Sequence, residues 1–127
     1  MIVKSLERLI GTARDVDWGN GNSRRFLIEQ DGMKFSLTDT IVKAGSSSCL
    51  EYKSHLEACY CVAGSGEIHD PETGEVYPIQ PGTMYALDKH DKHHLVANDE
   101  LRLVCVFLPA LRGHESHKLA DDGSSSY

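Results

Sequence analysis

The 127-residue sequence predicts an all-β, single-domain barrel of jelly-roll type, with a short N-terminal helix and a flexible C-terminal tail. Three observations predict it. Short β-prone runs dominate the chain. Turn signals recur at Ala44-Gly45, Gly64-Ser65-Gly66, Asp70-Pro71 with Gly74, Pro81-Gly82 and Asn98-Asp99, at a spacing of about ten residues that suits barrels and sandwiches. The run Leu101–Leu108, LRLVCVFL, is apolar on both faces except at Arg102, as expected of a strand in the middle of a sheet. A chain of this length suits one domain, here 1–127, and buries roughly two-thirds of its unfolded surface.

The elements follow in order. Ser5 caps a helix over residues 6–10, which Gly11 closes. The segment DVDWGNGNS is polar and glycine-bearing, poor strand material. Residues 24–30 form a strand ending at Asp31-Gly32, a strong hairpin signal. Met33, Phe35 and Leu37 then alternate with polar residues, as on a half-buried strand. Beyond Pro109 the chain turns polar, and LADDGSSSY reads as loosely ordered with nothing to pack.

Charge and composition exclude several function classes. The net charge is −6 and no Lys/Arg run exceeds two residues, so the basic face that nucleic acid requires is missing. The acidity serves solubility. No apolar run is long enough to span a bilayer. The start, MIVKSLERLI, has charges inside its apolar stretch and no small-residue cleavage site, so it is not a signal peptide. A cytoplasmic location is expected, with Cys49, Cys59, Cys61 and Cys105 as reduced thiols. Cys59 and Cys61 lie in the apolar run ACYCVAG, where core packing is the expected role; they share a strand face and do not bridge each other.

Two stretches resemble the paired motifs of cupin barrels. Gly45, Glu57 and Gly64 fall on the register of the first, while Glu51 and Lys53 occupy its two histidine positions. Gly74, Gln80-Pro81-Gly82 and Tyr85 fall on the second, with tyrosine at its histidine position. Either the metal site is lost, or another ligand set has replaced it. His93, in the run DKHDKHHL, supplies a nitrogen. Glu57, Tyr85 and His93 make a hard, open donor set that suits a Lewis-acidic divalent ion such as Fe²⁺ better than a closed structural zinc.

The segments YKSHLEACYCVAGSGEI, PGTMYALDKHDKH and LRLVCVF, with GHESH in the tail, resemble the ectoine synthase family, and the likeness runs from MIVKSLE to the C-terminus. The resemblance implies a homodimeric, Fe²⁺-dependent cupin of compatible-solute biosynthesis under osmotic stress. It further implies a carbon–oxygen hydro-lyase that converts N4-acetyl-L-2,4-diaminobutyrate to ectoine and water. Carried over motif by motif, Glu57, Tyr85 and His93 correspond to the iron ligands. Arg25, Thr40, Tyr52, Cys105, Phe107, Glu115 and His117 correspond to the substrate site, with Tyr52, Glu115 and His117 as its catalytic groups. Glu115 and His117, two apart, project to one side of an extended chain, so residues 113–127 are expected to act as a tail or lid over the barrel mouth.

The chemistry fits that implication. An amine must attack an unreactive amide carbonyl in the same molecule, which calls for polarisation of the oxygen, proximity, a base and an acid. Water is the product, so an apolar-walled barrel that excludes it favours ring closure. The sequence departs from the family pattern at Gly21, where a tryptophan is usual and Trp18 lies three residues earlier, and at Thr38, Leu108, Ala110 and Arg112. Two other readings compete: a non-catalytic cupin that senses a small zwitterion, and an iron-dependent oxygenase. A donor set with a single histidine argues against the oxygenase, which uses two histidines and one carboxylate.

Overall fold

The computed structural model describes residues 1–116 and the backbone of 124–126. One helical turn, α1 (Leu6–Leu9), precedes strands β1 (Asp15–Asp17), β2 (Gly21–Leu27), β3 (Ser36–Val42) and β4 (Ser47–Glu51). There follow β5 (Leu56–Ala63), β6 (Gly66–His69), β7 (Val76–Ile79) and β8 (Met84–Leu87). The last are β9 (His93–Ala97), β10 (Leu101–Leu108) and β11 (Ser124–Ser126). A six-stranded sheet runs β1-β2-β3-β10-β5-β8 and a five-stranded sheet runs β11-β4-β9-β6-β7. One core joins them: Val42, Cys61 and Leu103 from the first sheet pack with Leu50, Ile68 and Leu95 from the second.

Alternation explains which side chains enter that core. In β10, Leu101, Leu103, Cys105 and Phe107 are buried, while Arg102, Val106 and Leu108 face out. As expected of a strand apolar on both faces, β10 pairs on both sides, with β3 and β5. All four cysteines are free and buried, with Cys59 and Cys61 on the inward face of β5.

Three local expectations give way. The segment DVDWGNGNS holds β1 and the start of β2, a hairpin closed over residues 18–20. Its polar side chains satisfy turn amides: Asp17 Oδ1 accepts from Gly19 N at 2.9 Å, and Asp15 Oδ1 accepts from Asn22 Nδ2 at 3.0 Å. Second, Asp31-Gly32 is no two-residue hairpin. β2 ends at Leu27, and Glu29–Asp31 forms a 3-10 turn closed by Gly32 at φ 77°. Asp31 is drawn into that turn because its carboxylate accepts from Ile28 N at 2.8 Å and pairs with Arg14 at 2.8 Å. The Arg14 guanidinium holds the Asp31 carboxyl well below the usual range, against its partial desolvation. Met33 consequently stays outside β3 and half exposed.

Third, the expected short helix is present with Ser5 at its N-cap position, but it ends at Leu9 and has no side-chain cap hydrogen bond from Ser5. Of the tail beyond Ser116, only the backbone of 124–126 is described. Ser124–Ser126 pairs in parallel with β4, with Ser124 opposite Cys49. These backbone ladder bonds need no apolar side chain. Upstream, Leu111 is fully buried; its N–H donates to Ser36 Oγ at 2.8 Å and its carbonyl accepts from Glu29 N at 2.7 Å. No helix among the described residues is long and apolar enough to cross a membrane.

Candidate active site

Register places the functional side chains in transverse rows on the inward face of the six-stranded sheet. Glu57 in β5 stands between Leu87 of β8 and Phe107 of β10. The next row runs Tyr85, Cys59, Cys105, Thr38 and Arg25 across β8, β5, β10, β3 and β2. Thr40 lies between Ser23 and Leu103 in the row beyond. His93 arrives from the facing sheet as the first residue of β9. Thr40, Tyr52, Glu57, Tyr85, Cys105 and Phe107 line one cavity between the sheets, together with Cys59 and Trp18. Tyr85 also borders an adjoining cleft shared with His93 and Asp91.

The three residues expected to hold a metal have the electrostatics of a donor set. His93 Nδ1 lies 2.9 Å from the Asp91 carbonyl, which can only accept, so Nδ1 carries the proton and Nε2 keeps its lone pair. That Nε2 is buried without a hydrogen-bond partner among the described residues. Burial lowers the pKa of the ring, which keeps it neutral and able to ligate. Glu57 is 7% exposed, and burial pushes its carboxyl up to about 8, with the Cys59 and Cys105 thiols opposing the rise. Burial and the neighbouring acidic groups push the Tyr85 phenol well above its ordinary value. The Tyr85 and His93 ring centroids are 6.4 Å apart.

A buried carboxylate is costly to ionise, and a divalent cation would supply the missing charge. The residues therefore fit a metal. One glutamate oxygen and the Sγ atoms of Cys59 and Cys105 also lie within 4.8 Å of one another.

The expected substrate-side residues divide into two groups. Thr40, Tyr52, Cys105 and Phe107 line the cavity. Tyr52 meets the edge of Phe107 at 5.3 Å and stands 6.1 Å from the His93 ring. Arg25, fully buried, bonds to Ser23 Oγ at 3.2 Å and reaches out of the row to Glu115. One of its nitrogens donates to the Glu115 carbonyl, and Nη1 lies 3.8 Å from Glu115 Oε1. The Glu115 carboxylate also accepts from Arg112 N at 2.8 Å and Gly113 N at 2.9 Å. Burial acts to raise its pKa, yet these amides and Arg25 prevail and hold it below the ordinary value. His117 lies outside the described residues.

Three residues enter the site that sequence reasoning left out of it. Cys59, read as core packing, lines the cavity opposite Tyr85 and Cys105. Its spacing of two from Glu57 on a strand was the available signal. Trp18 lines the cavity and donates from Nε1 to the Ile41 carbonyl at 3.0 Å. His90 Nδ1 sits 2.8 Å from the Tyr52 carbonyl and 3.0 Å from that of His55, so the DKHDKHH run anchors the Tyr52 loop. Of the departures from the family pattern, Leu108 faces out of the barrel and Arg112 is exposed, so neither alters the cavity wall. Thr38 is fully buried with its hydroxyl 3.1 Å from that of Thr40.

Comparison with known proteins agrees with this architecture. A family model described as ectoine synthase matches residues 1–126. The L-ectoine synthase of Desulfatibacillum aliphaticivorans is 54% identical over 126 residues, spanning 98% of this chain and 95% of that protein. That of Oceanobacillus iheyensis is 51% identical over 117 residues, spanning 92% of this chain and 91% of that protein. The crystal structure of ectoine synthase from P. lautus superimposes with a TM-score of 0.86 at 54% identity, covering 89% of this chain and 81% of that one. A cupin 2 conserved barrel protein from Salinispora arenicola, 18% identical, matches with a TM-score of 0.65 over 85% of this chain and 88% of its own; it shares the cupin fold.

Proposed function

The chain belongs to the ectoine synthase family of cupin-fold lyases, and on that premise we propose that it closes N4-acetyl-L-2,4-diaminobutyrate into ectoine with loss of one water. The observation that carries the reading is the His93 Nε2 lone pair, buried without a partner beside Tyr85 in a cavity system that also holds Glu57. Glu57, Tyr85 and His93 hold Fe²⁺ in this reading. The ion supplies a Lewis acid for the amide oxygen.

The remaining steps belong to the chain's own residues. In the reaction the 2-amino nitrogen bonds to the acetamido carbon and sheds its protons, while the carbonyl oxygen collects two and leaves as water. Thr40, Tyr52, Cys105 and Phe107 wall the cavity and hold the substrate folded, which makes the attack intramolecular. Phe107 and Trp18 limit the water that reaches the amidine carbon. Glu115 is kept as a carboxylate and suits the base; the Tyr52 hydroxyl and His117 suit proton delivery to the leaving oxygen. Buried Arg25 brings positive charge to the same wall and ties it to the tail through Glu115. The Arg25–Glu115 contact and the 2.7 Å bond from Ser116 Oγ to the Asp17 carbonyl support residues 113–127 as the lid.

The protein acts as a cytoplasmic homodimer in this reading. Four buried free thiols support a reducing compartment. The outward faces of β5, β8 and β10 carry exposed Leu56, Tyr60, Met84, Val106 and Leu108, an apolar patch of the kind a second copy covers.

Metal analysis tests the centre. Protein purified anaerobically holds about one Fe per chain, and Glu57→Ala, Tyr85→Phe and His93→Ala each remove most of it while far-UV spectra stay native. Full iron in all three folded variants overturns the assignment.

A further inference from the structure

Cys59 and Cys105 face each other directly across β5 and β10, on the inward side, and Glu57 precedes Cys59 by two residues on that same side. The two thiols are each 2% exposed and the carboxylate 7%. Their three donor atoms fall within 4.8 Å of one another. Tetrahedral donors at about 2.0–2.3 Å from one ion lie roughly 3.3–3.8 Å apart, so the three need to close by about 1 Å or less to share a single cation. Tyr85, opposite Cys59, offers its phenol oxygen as a fourth donor.

We infer that Cys59 and Cys105 add two soft sulfur donors to Glu57, so that this centre takes a thiophilic divalent cation such as Zn²⁺ or Cd²⁺ in competition with Fe²⁺. The inference rests on the reading of Glu57 as a metal ligand and extends it to the ion's identity. Hard oxygen donors with one imidazole discriminate weakly among divalent ions, whereas thiolates favour soft ions strongly. Each thiol that ligates releases its proton to solvent, and the ion's charge balances the carboxylate and thiolates in the closed barrel. Occupancy by Zn²⁺ engages Glu57 with the two thiolates and so competes with its use alongside His93.

Cobalt and cadmium read this directly. Metal-free protein titrated with Co²⁺ under anaerobic conditions is expected to develop a near-ultraviolet sulfur-to-cobalt charge-transfer band, which Zn²⁺ bleaches. Cys59→Ser removes at least about half of the band and weakens Zn²⁺ binding about tenfold or more. The cadmium NMR shift of the wild-type protein, which moves downfield with each sulfur ligand, gives the same answer without any substitution. Cobalt bound near one per chain with no sulfur band, and a cadmium shift typical of oxygen and nitrogen donors, overturns the inference and leaves the Glu57–Tyr85–His93 centre standing. Failure to bind either ion, or Fe²⁺, sinks both.

Discussion

Glu57 is a carboxyl walled into the barrel with two thiols as neighbours, and its proton reports the state of the centre. Burial pushes its pKa from 4.5 up to about 8, so the folded metal-free chain keeps a proton that the unfolded chain releases. The associated stability is present below about pH 4.5 and is lost as pH rises toward about 8, a fall on the order of 3–5 kcal/mol. Thermal melts of the metal-free protein are expected to show Tm declining across that window, with Glu57→Gln flattening the slope. On the proposed ligand set, added Fe²⁺ is expected to raise Tm more at the alkaline end, where the carboxylate it would bind is ionised. A metal-free Tm independent of pH removes Glu57 as the buried acid. At this scale the sequence was uneven. Glu57 and Tyr85 were legible because their spacing follows a cupin register. Cys59 packs in the core as its apolar run predicts, and only the strand register shows that it also lines the cavity opposite Tyr85 and Cys105.

β10 was legible to the residue because an octet that is apolar on both faces has one environment available, the middle of a sheet between β3 and β5. The β1–β2 hairpin was hidden, since its polar residues bond locally and its apolar contribution is a single ring, Trp18, which is 4% exposed. Gly21 explains why that ring comes from residue 18. Its φ is +150°, and a Cβ there meets the Ile41 carbonyl oxygen at 1.9 Å and Trp18 Nε1 at 3.1 Å. A side chain at 21 clashes with the Ile41 backbone and crowds Trp18, so the hairpin tip supplies the aromatic wall instead. Gly21→Ala is expected to destabilise the fold by about 2 kcal/mol or more in denaturant titrations, through strain and the clash with Ile41. Trp18→Phe, which keeps most of the ring and loses the bond to the Ile41 carbonyl, is expected to fold and to raise KM more than it lowers kcat. A Gly21→Ala variant as stable as wild type contradicts this account of the hairpin.

The whole molecule closes on its tail. The segment after β10 is held by Leu111 in the core, and then by Glu115, which meets buried Arg25. The sequence foretold contact near Glu115 but not the anchor at Leu111, because a lone leucine in a polar stretch shows no periodicity. A chain ending after Arg112 keeps Leu111 and is expected to fold and retain its metal. It loses Glu115 and His117, and turnover falls by about 10² or more, the range of acid–base groups. Near-full turnover by that truncation places the proton-transfer groups elsewhere in the barrel. The central claim is the reaction itself. Full-length protein loaded with Fe²⁺ and incubated anaerobically with N4-acetyl-L-2,4-diaminobutyrate is predicted to yield ectoine, followed by proton NMR as the acetamido methyl signal gives way to that of the ring amidine; unchanged substrate over folded, metal-loaded protein contradicts the account.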